Sequence, residues 1–145
     1  GAAVCRGRGE QVEPLLGMRP LHFVFVKPPA GLSTADVYRT FDELPGESAA
    51  RPEHAAELAE ALRQGNLVGL GQLLNNRLQS AAARLSPWVD RLRGAFALLD
   101  FVGHQLSGSG TSYFGVCRHA QQARRLATIL RTQQLGLVYV TRSCC

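Results

Sequence analysis

The hydrophobic residues of this chain change their period along its length, and that change restricts the fold more than any other feature. Near the ends they fall in short β-branched and aromatic runs, and between the ends they recur every three or four residues. The first sixteen residues alternate apolar and polar around Gly7 and Gly9, which suits two short strands turning at glycine. After Pro20, the run His22-Phe23-Val24-Phe25-Val26 reads as a buried strand that stops at Pro28-Pro29. Gly31-Leu32 then leads into Ser33-Thr34, either of which can cap a helix running through Asp36, Val37 and Tyr38. A strand therefore feeds a helix N-terminus through a Pro/Gly loop.

Residues 43–52 are polar and rich in Pro and Gly, and predict a surface loop. From Pro52 to Gln64 the spacing of Ala55, Leu58, Ala59 and Leu62 is helical, with Gly65 as the stop. Leu67, Leu70, Leu74, Leu78, Ala81 and Leu85 continue at steps of three and four, which predicts one long helix buried on one side. Ser86-Pro87 starts the next helix, with Trp88, Leu92, Phe96 and Leu99 on one side. A glycine-rich loop, Ser107 to Gly110, then separates that helix from a strand over 112–117. A last helix through Ala123, Leu126, Ala127 and Leu130 and a strand over 137–140 follow, with Gly136 turning between them. Strands near both ends with helices between them predict an α+β fold, with helices packed on one face of an antiparallel sheet. At 145 residues the chain has room for one such unit, or for one lobe of something larger.

Composition removes several classes of function. With 46% hydrophobic and 19% charged residues the chain can bury a core, unlike a disordered tail. Its most apolar stretch, Ala95 to Val102, is interrupted by Asp100 and falls far short of the roughly eighteen residues of a membrane span, so no membrane partner is expected. The start Gly-Ala-Ala-Val lacks both an initiator Met and a signal segment. This predicts a piece cut or processed from a longer chain and located in the cytoplasm. Net charge is +5, divided between net −2 over residues 1–75 and net +7 over residues 76–145. The basic half is read as solvated helix faces carrying Arg84, Arg91, Arg93, Arg124, Arg125 and Arg131. Few aromatics lie among them to stack bases, so no nucleic-acid partner is expected. Cys5, Cys117, Cys144 and Cys145 form no Cys-x-x-Cys pair and have no His at ligand spacing, so no metal site is expected and the thiols are read as reduced and unpaired.

The stretch Leu106-Ser-Gly-Ser-Gly-Thr-Ser-Tyr-Phe-Gly115 carries the most chemical information. Two glycines two residues apart let the backbone turn at little steric cost and present its N–H groups to an anion as a concave nest. It is not a P-loop, since Lys27 is the only lysine and lies far upstream. A Rossmann fingerprint would need glycine or alanine at Tyr113, and no Gly-x-Ser-x-Gly elbow passes through Ser107 or Ser109. Taken alone, the loop is equally well a plain tight turn. His22, His54, His104 and His119 are scattered and read as structural, Asp42-Glu43 reads as loop charge, and no catalytic set can be assembled from the chain.

Four blocks taken in order say more. They are Gly1-x-Ala3-x-x-x-Gly7-x-Gly9-Glu10, then Val26-Lys-Pro-Pro-Ala-Gly-Leu-Ser-Thr-Ala-Asp-Val-Tyr-Arg-Thr-Phe-Asp42, then Asn75-Asn-Arg-Leu-Gln-Ser-Ala-Ala82, then the glycine loop. Together they resemble the C-terminal half of the 4-diphosphocytidyl-2-C-methyl-D-erythritol kinase family, in the GHMP small-molecule kinase superfamily. The glycine loop matches only the superfamily, whereas the first two blocks resemble this kinase family in particular. The resemblance implies a ferredoxin-like C-terminal lobe spanning 1–145, with residues 1–16 a strand pair leading in from an N-terminal kinase domain. It implies an enzyme that passes the γ-phosphoryl of ATP, with Mg, to the 2-hydroxyl of a cytidylyl substrate in non-mevalonate isoprenoid biosynthesis. By the same resemblance Tyr38 would stack on the cytosine, with Thr34 and Ala35 in the adjoining substrate-binding turn. The loop Ser107, Gly108, Ser109, Gly110 and Thr111 would lie against the phosphates. The family's ATP loop and its catalytic lysine and aspartate belong to the preceding half, so this chain alone is expected to be inactive. Where relatives usually read Asn-Asp-Leu-Glu, this chain has Asn76-Arg77-Leu78-Gln79. The competing readings are a free-standing ferredoxin-like module for a nucleotide or small metabolite, and another superfamily member such as a homoserine kinase.

Overall fold

Burial organises the fold around strand β3 (His22–Lys27), whose Val24 and Val26 are fully buried. A computed structural model of the chain describes residues 2–7, 9–44 and 52–144. Gly1 and Arg8 of the first block, nearly all of the loop expected over 43–52, and Cys145 lie outside these residues.

The expected strand pair is present as β1 (Ala2–Arg6) and β2 (Gln11–Leu15), an antiparallel two-stranded sheet of its own. The main sheet contains β3, β4 (Gly103–Leu106), β5 (Tyr113–Cys117) and β6 (Leu137–Arg142), in the order β4-β5-β3-β6 and antiparallel throughout. The helices are α1 (Thr34–Asp42), α2 (Pro52–Gln64), α3 (Leu67–Leu73), α4 (Gln79–Leu85), α5 (Pro87–Ala97) and α6 (Ala120–Thr132). Reading the strands of the main sheet in chain order gives the split βαβ arrangement of a ferredoxin-like fold, with α1 to α5 filling the first crossover and α6 the second. The α+β expectation therefore stands.

Helix α6 shows why the sheet is covered. Ala123, Leu126, Ala127 and Leu130 repeat at helical spacing and are all fully buried, against β3 and β5. Val89, Leu92 and Phe96 are likewise fully buried on α5, which packs against β4 and β5. Each of these larger side chains contributes about 1.5–3 kcal/mol by leaving water. The arginines named above all remain exposed. Phe96 stacks on Phe101 at 4.9 Å between centroids and lies 5.0 Å from Tyr113.

Four expectations need correction. The helix expected over 67–85 is two helices, because Leu74 leaves α3 in an extended conformation and Asn76 turns the chain before α4. The apolar period runs on through the break in sequence, but Leu85, which it places on the buried side, is exposed, while Leu70 and Ala81 are buried. The glycine loop does not join a helix to a strand. It closes a hairpin between β4 and β5, and β4 escaped the sequence reading because His104 and Gln105 interrupt its apolar character. Leu99 lies beyond the end of α5. Finally, Asp42 is the last residue of α1 and Glu43 its C-cap, where loop charge was expected.

At the β4 edge, α3 meets the sheet backbone to backbone. A Cβ on Gly103 would lie 2.8 Å from Gly71 Cα, and one on Gly71 would lie 2.0 Å from the Val102 carbonyl oxygen. Only two glycines allow this approach. Among the described residues, no helix is long and apolar enough to cross a membrane.

Candidate functional site

The β4–β5 hairpin carries the glycine loop to the end of the sheet where β3 finishes and α1 begins. Its turn is closed internally. The Ser107 N–H donates to the Ser112 carbonyl at 2.8 Å, and the Gly110 N–H to the Ser107 carbonyl at 3.0 Å. Gly108 (φ +58°) and Gly110 (φ +95°) occupy backbone conformations that side chains disfavour, which is why this turn needs glycine at both positions.

Helix α1 starts beside the loop. Ser33 is its N-cap, with Oγ accepting from the Asp36 N–H, so the choice between Ser33 and Thr34 falls to Ser33. Thr34 is thereby free to face the loop, and its Oγ1 shares a hydrogen bond with Ser109 Oγ at 2.9 Å. The Thr111 hydroxyl donates to the Ala30 carbonyl, a second tie between the hairpin and the segment before α1. Tyr38 lies one turn beyond Thr34 on the same side of α1. Its ring is 53% exposed and its hydroxyl makes no hydrogen bond among the described residues. Of the expected residues, Thr34 and Ser109 thus touch across 75 positions of sequence, while Tyr38 shares the helix with Thr34 and makes no hydrogen bond or ring contact with the loop among the described residues.

Several donors are left open. The N–H groups of Thr34 and Ala35, at the first turn of α1, find no acceptor among the described residues, and neither do those of Gly108 and Ser109. A helix N-terminus and a glycine turn side by side place partial positive charge at one spot. Asp36 stands in that first turn, but its carboxylate is paired with Arg39.

Two residues of this site went unassigned in the sequence. Asn76 Nδ2 donates to the carbonyls of Leu106 at 2.9 Å and Gly108 at 2.8 Å, while its Oδ1 accepts from the Leu78 N–H at 3.0 Å. Gln79 Oε1 accepts from the Leu106 N–H at 2.9 Å, a task a glutamate oxygen performs equally well. The only available signal was the block at 75–82, which matched a family pattern without disclosing what it contacts. Arg77 packs its guanidinium 4.9 Å from the centre of the Phe41 ring, joining the turn before α4 to α1.

The histidines take structural roles. His54 bonds the Leu73 carbonyl, and His119 caps α6 by accepting from the Gln122 N–H. His104 sits 3.1 Å from the Tyr113 hydroxyl, and its burial pushes its pKa below the usual imidazole value. Burial likewise pushes Tyr113 up to about 12 and Cys117 up to about 11. No group of three or more His, Cys, Asp or Glu among the described residues could hold a metal ion. A cavity of about 150 Å³ opens at the opposite end of the sheet, between Arg19, Leu21, Leu70 and Cys117.

The family model for the GHMP kinase C-terminal region matches residues 58–134. A 4-diphosphocytidyl-2-C-methyl-D-erythritol kinase of Pelotomaculum thermopropionicum is 34% identical over 90% of this chain and 45% of its own length. The kinase of the same name from Thermobifida fusca is 38% identical over 89% of this chain and 42% of its own. The crystal structure of a 4-(cytidine 5'-diphospho)-2C-methyl-D-erythritol kinase superposes with a TM-score of 0.76 at 30% identity, covering 97% of this chain and 48% of that one. The chain therefore spans a little under half the length of the proteins it matches.

Proposed function

Since the chain belongs to the GHMP kinase C-terminal family, we propose that it is the substrate-side lobe of an ATP-dependent kinase acting on 4-diphosphocytidyl-2-C-methyl-D-erythritol. The contact between Thr34 and Ser109 carries this reading, because it unites the exposed ring of Tyr38 and the open amides of the glycine loop in one wall. The named kinases it resembles support the choice of substrate.

Phosphoryl transfer calls mainly for positioning and for charge stabilisation. In the proposed enzyme the γ-phosphoryl leaves the β-phosphate of ATP and bonds to the 2-hydroxyl oxygen of the substrate, which gives up its proton. Tyr38 offers the cytosine a flat stacking face, with Thr34 and Ala35 beside it. The amides of Gly108 and Ser109 donate to phosphate oxygens without rearranging, because the loop is already closed on itself and tied to α1. The lysine, the aspartate and the ATP-cradling loop come from an upstream half. Magnesium accompanies ATP in such reactions, but the described residues offer it no cluster of ligands.

The reading is tested by product analysis. The complete protein with ATP and 4-diphosphocytidyl-2-C-methyl-D-erythritol should yield ADP and the 2-phosphate, whereas the 145-residue chain alone should yield neither. Turnover by the chain alone, or preferential phosphorylation of homoserine by the complete protein, would contradict it.

A further inference from the structure

We infer that Asn76 is a positioning residue: by gripping the Gly108 carbonyl it turns the Ser109 N–H outward, where it can donate to an anion. The identity of that anion as a substrate phosphate rests on the kinase reading above. A peptide unit is planar, and in its trans form the C=O and N–H point in opposite directions. The Gly108 carbonyl is held 2.8 Å from Asn76 Nδ2, so the N–H of the same peptide, carried by Ser109, points away from Asn76. It meets no acceptor among the described residues.

The carboxamide has no freedom to do otherwise. Its oxygen must face the Leu78 N–H and its nitrogen the two carbonyls, so three partners settle its orientation. The base of the hairpin is held separately, by Gln79 on the Leu106 N–H and by Ser112 on the Ser107 N–H. What Asn76 alone controls is the peptide at the tip. A glycine on one side of that peptide makes its rotation sterically cheap, so the local sequence does not hold it in place. The Ser109 side chain is anchored to Thr34, which leaves the peptide plane as the one element of the tip that still needs a clamp.

Asn76→Asp separates this role from plain helix capping. A carboxylate still accepts from the Leu78 N–H, but it donates to neither carbonyl and repels both. The direction of the Ser109 N–H bond, from residual dipolar couplings, should change in Asn76→Asp. Affinity for inorganic pyrophosphate should fall about tenfold or more, as expected for a lost hydrogen bond to a charged group. Gln121→Glu, which adds the same charge at the exposed start of α6, away from the hairpin tip, should leave both measurements as in the parent chain. Should Asn76→Asp retain the parental Ser109 direction and the parental affinity, the inference is overturned. If that variant does not fold, the parent chain decides. Pyrophosphate should then shift the Ser109 amide resonance more than those of Ser107 and Gly110, whose N–H groups are already bonded, and an unmoved Ser109 would overturn the inference. None of these readouts needs turnover, so failure of the complete protein to phosphorylate would remove the kinase reading and leave this one standing.

Discussion

Replacing Tyr38 by alanine should damage substrate binding and little else. The ring is 53% exposed and its hydroxyl is bonded to nothing described, so the folded state loses little when it goes. Exposed substitutions of this kind usually change stability by less than about 0.5 kcal/mol. Stacking of a base on an aromatic ring is worth about 1–3 kcal/mol. At about 1.4 kcal/mol per decade, that corresponds to a rise of roughly 5- to 150-fold in the KM for the cytidylyl substrate. Steady-state kinetics of the complete kinase, varying each substrate in turn, should show this rise while the KM for ATP stays put. Tyr38→Phe keeps the ring and should behave like the parent. Equal increases in both constants, or an alanine variant whose melting temperature drops by more than a few degrees, would refute the reasoning. The first would mean that Tyr38 shapes the whole cleft, and the second that its exposed ring is part of the core.

Other regions give equally direct expectations. Leu126→Ala, at a fully buried position of α6 facing the sheet, should cost about 2–5 kcal/mol, measured as a lower urea midpoint at unchanged slope. Burial lowers the folded-state pKa of His104, so the unfolded chain binds the extra proton first as pH falls through 6.5. Its contribution to stability is thus complete above that value and declines below it, and His104→Gln should flatten the drop in urea midpoint between pH 7.5 and about 5.5. Cys117 is buried with its thiol pushed up to about 11, so it should react with a thiol reagent at pH 8 only after unfolding, whereas the exposed Cys5 and Cys144 should react in the folded state.

The parts of the fold that the sequence disclosed are those where one physical signal acts alone. Helix α6 shows its buried side as Ala123, Leu126, Ala127 and Leu130, and β3 is legible in the unbroken run His22 to Val26. A cap at Ser33 or Thr34 and the stop at Gly65 also follow from local chemistry, with the structure choosing Ser33. Errors arose where two signals overlap. The leucine period runs straight through Asn75 and Asn76, where Leu74 turns extended and the backbone breaks between two helices, and spacing alone does not register that break. Strand β4 is only four residues long and half of it is His104 and Gln105, too little for alternation to register.

The family pattern names candidate site residues but not how they are held. Tyr38 and the glycine loop could be named from a family pattern, and Thr34 could be placed beside a helix start. That Thr34 Oγ1 touches Ser109, and that Asn76 holds the loop's carbonyls, depends on contacts spanning 75 and 32 residues, for which no local spacing gives a signal. Likewise, nothing local tells that Arg77, where relatives usually have an acidic residue, covers Phe41, or that Gln79 accepts from the Leu106 N–H.

The most direct measurement is a titration of this chain with cytidine 5'-diphosphate, following the Tyr38 ring protons and the Ser109 amide in the same NMR spectra. If helix α1 and the hairpin tip form a single wall, both signals should move along curves with one dissociation constant, while residues around Cys117 at the far end of the sheet stay still. Separate constants for the two signals, or movement of either one without the other, would contradict the account.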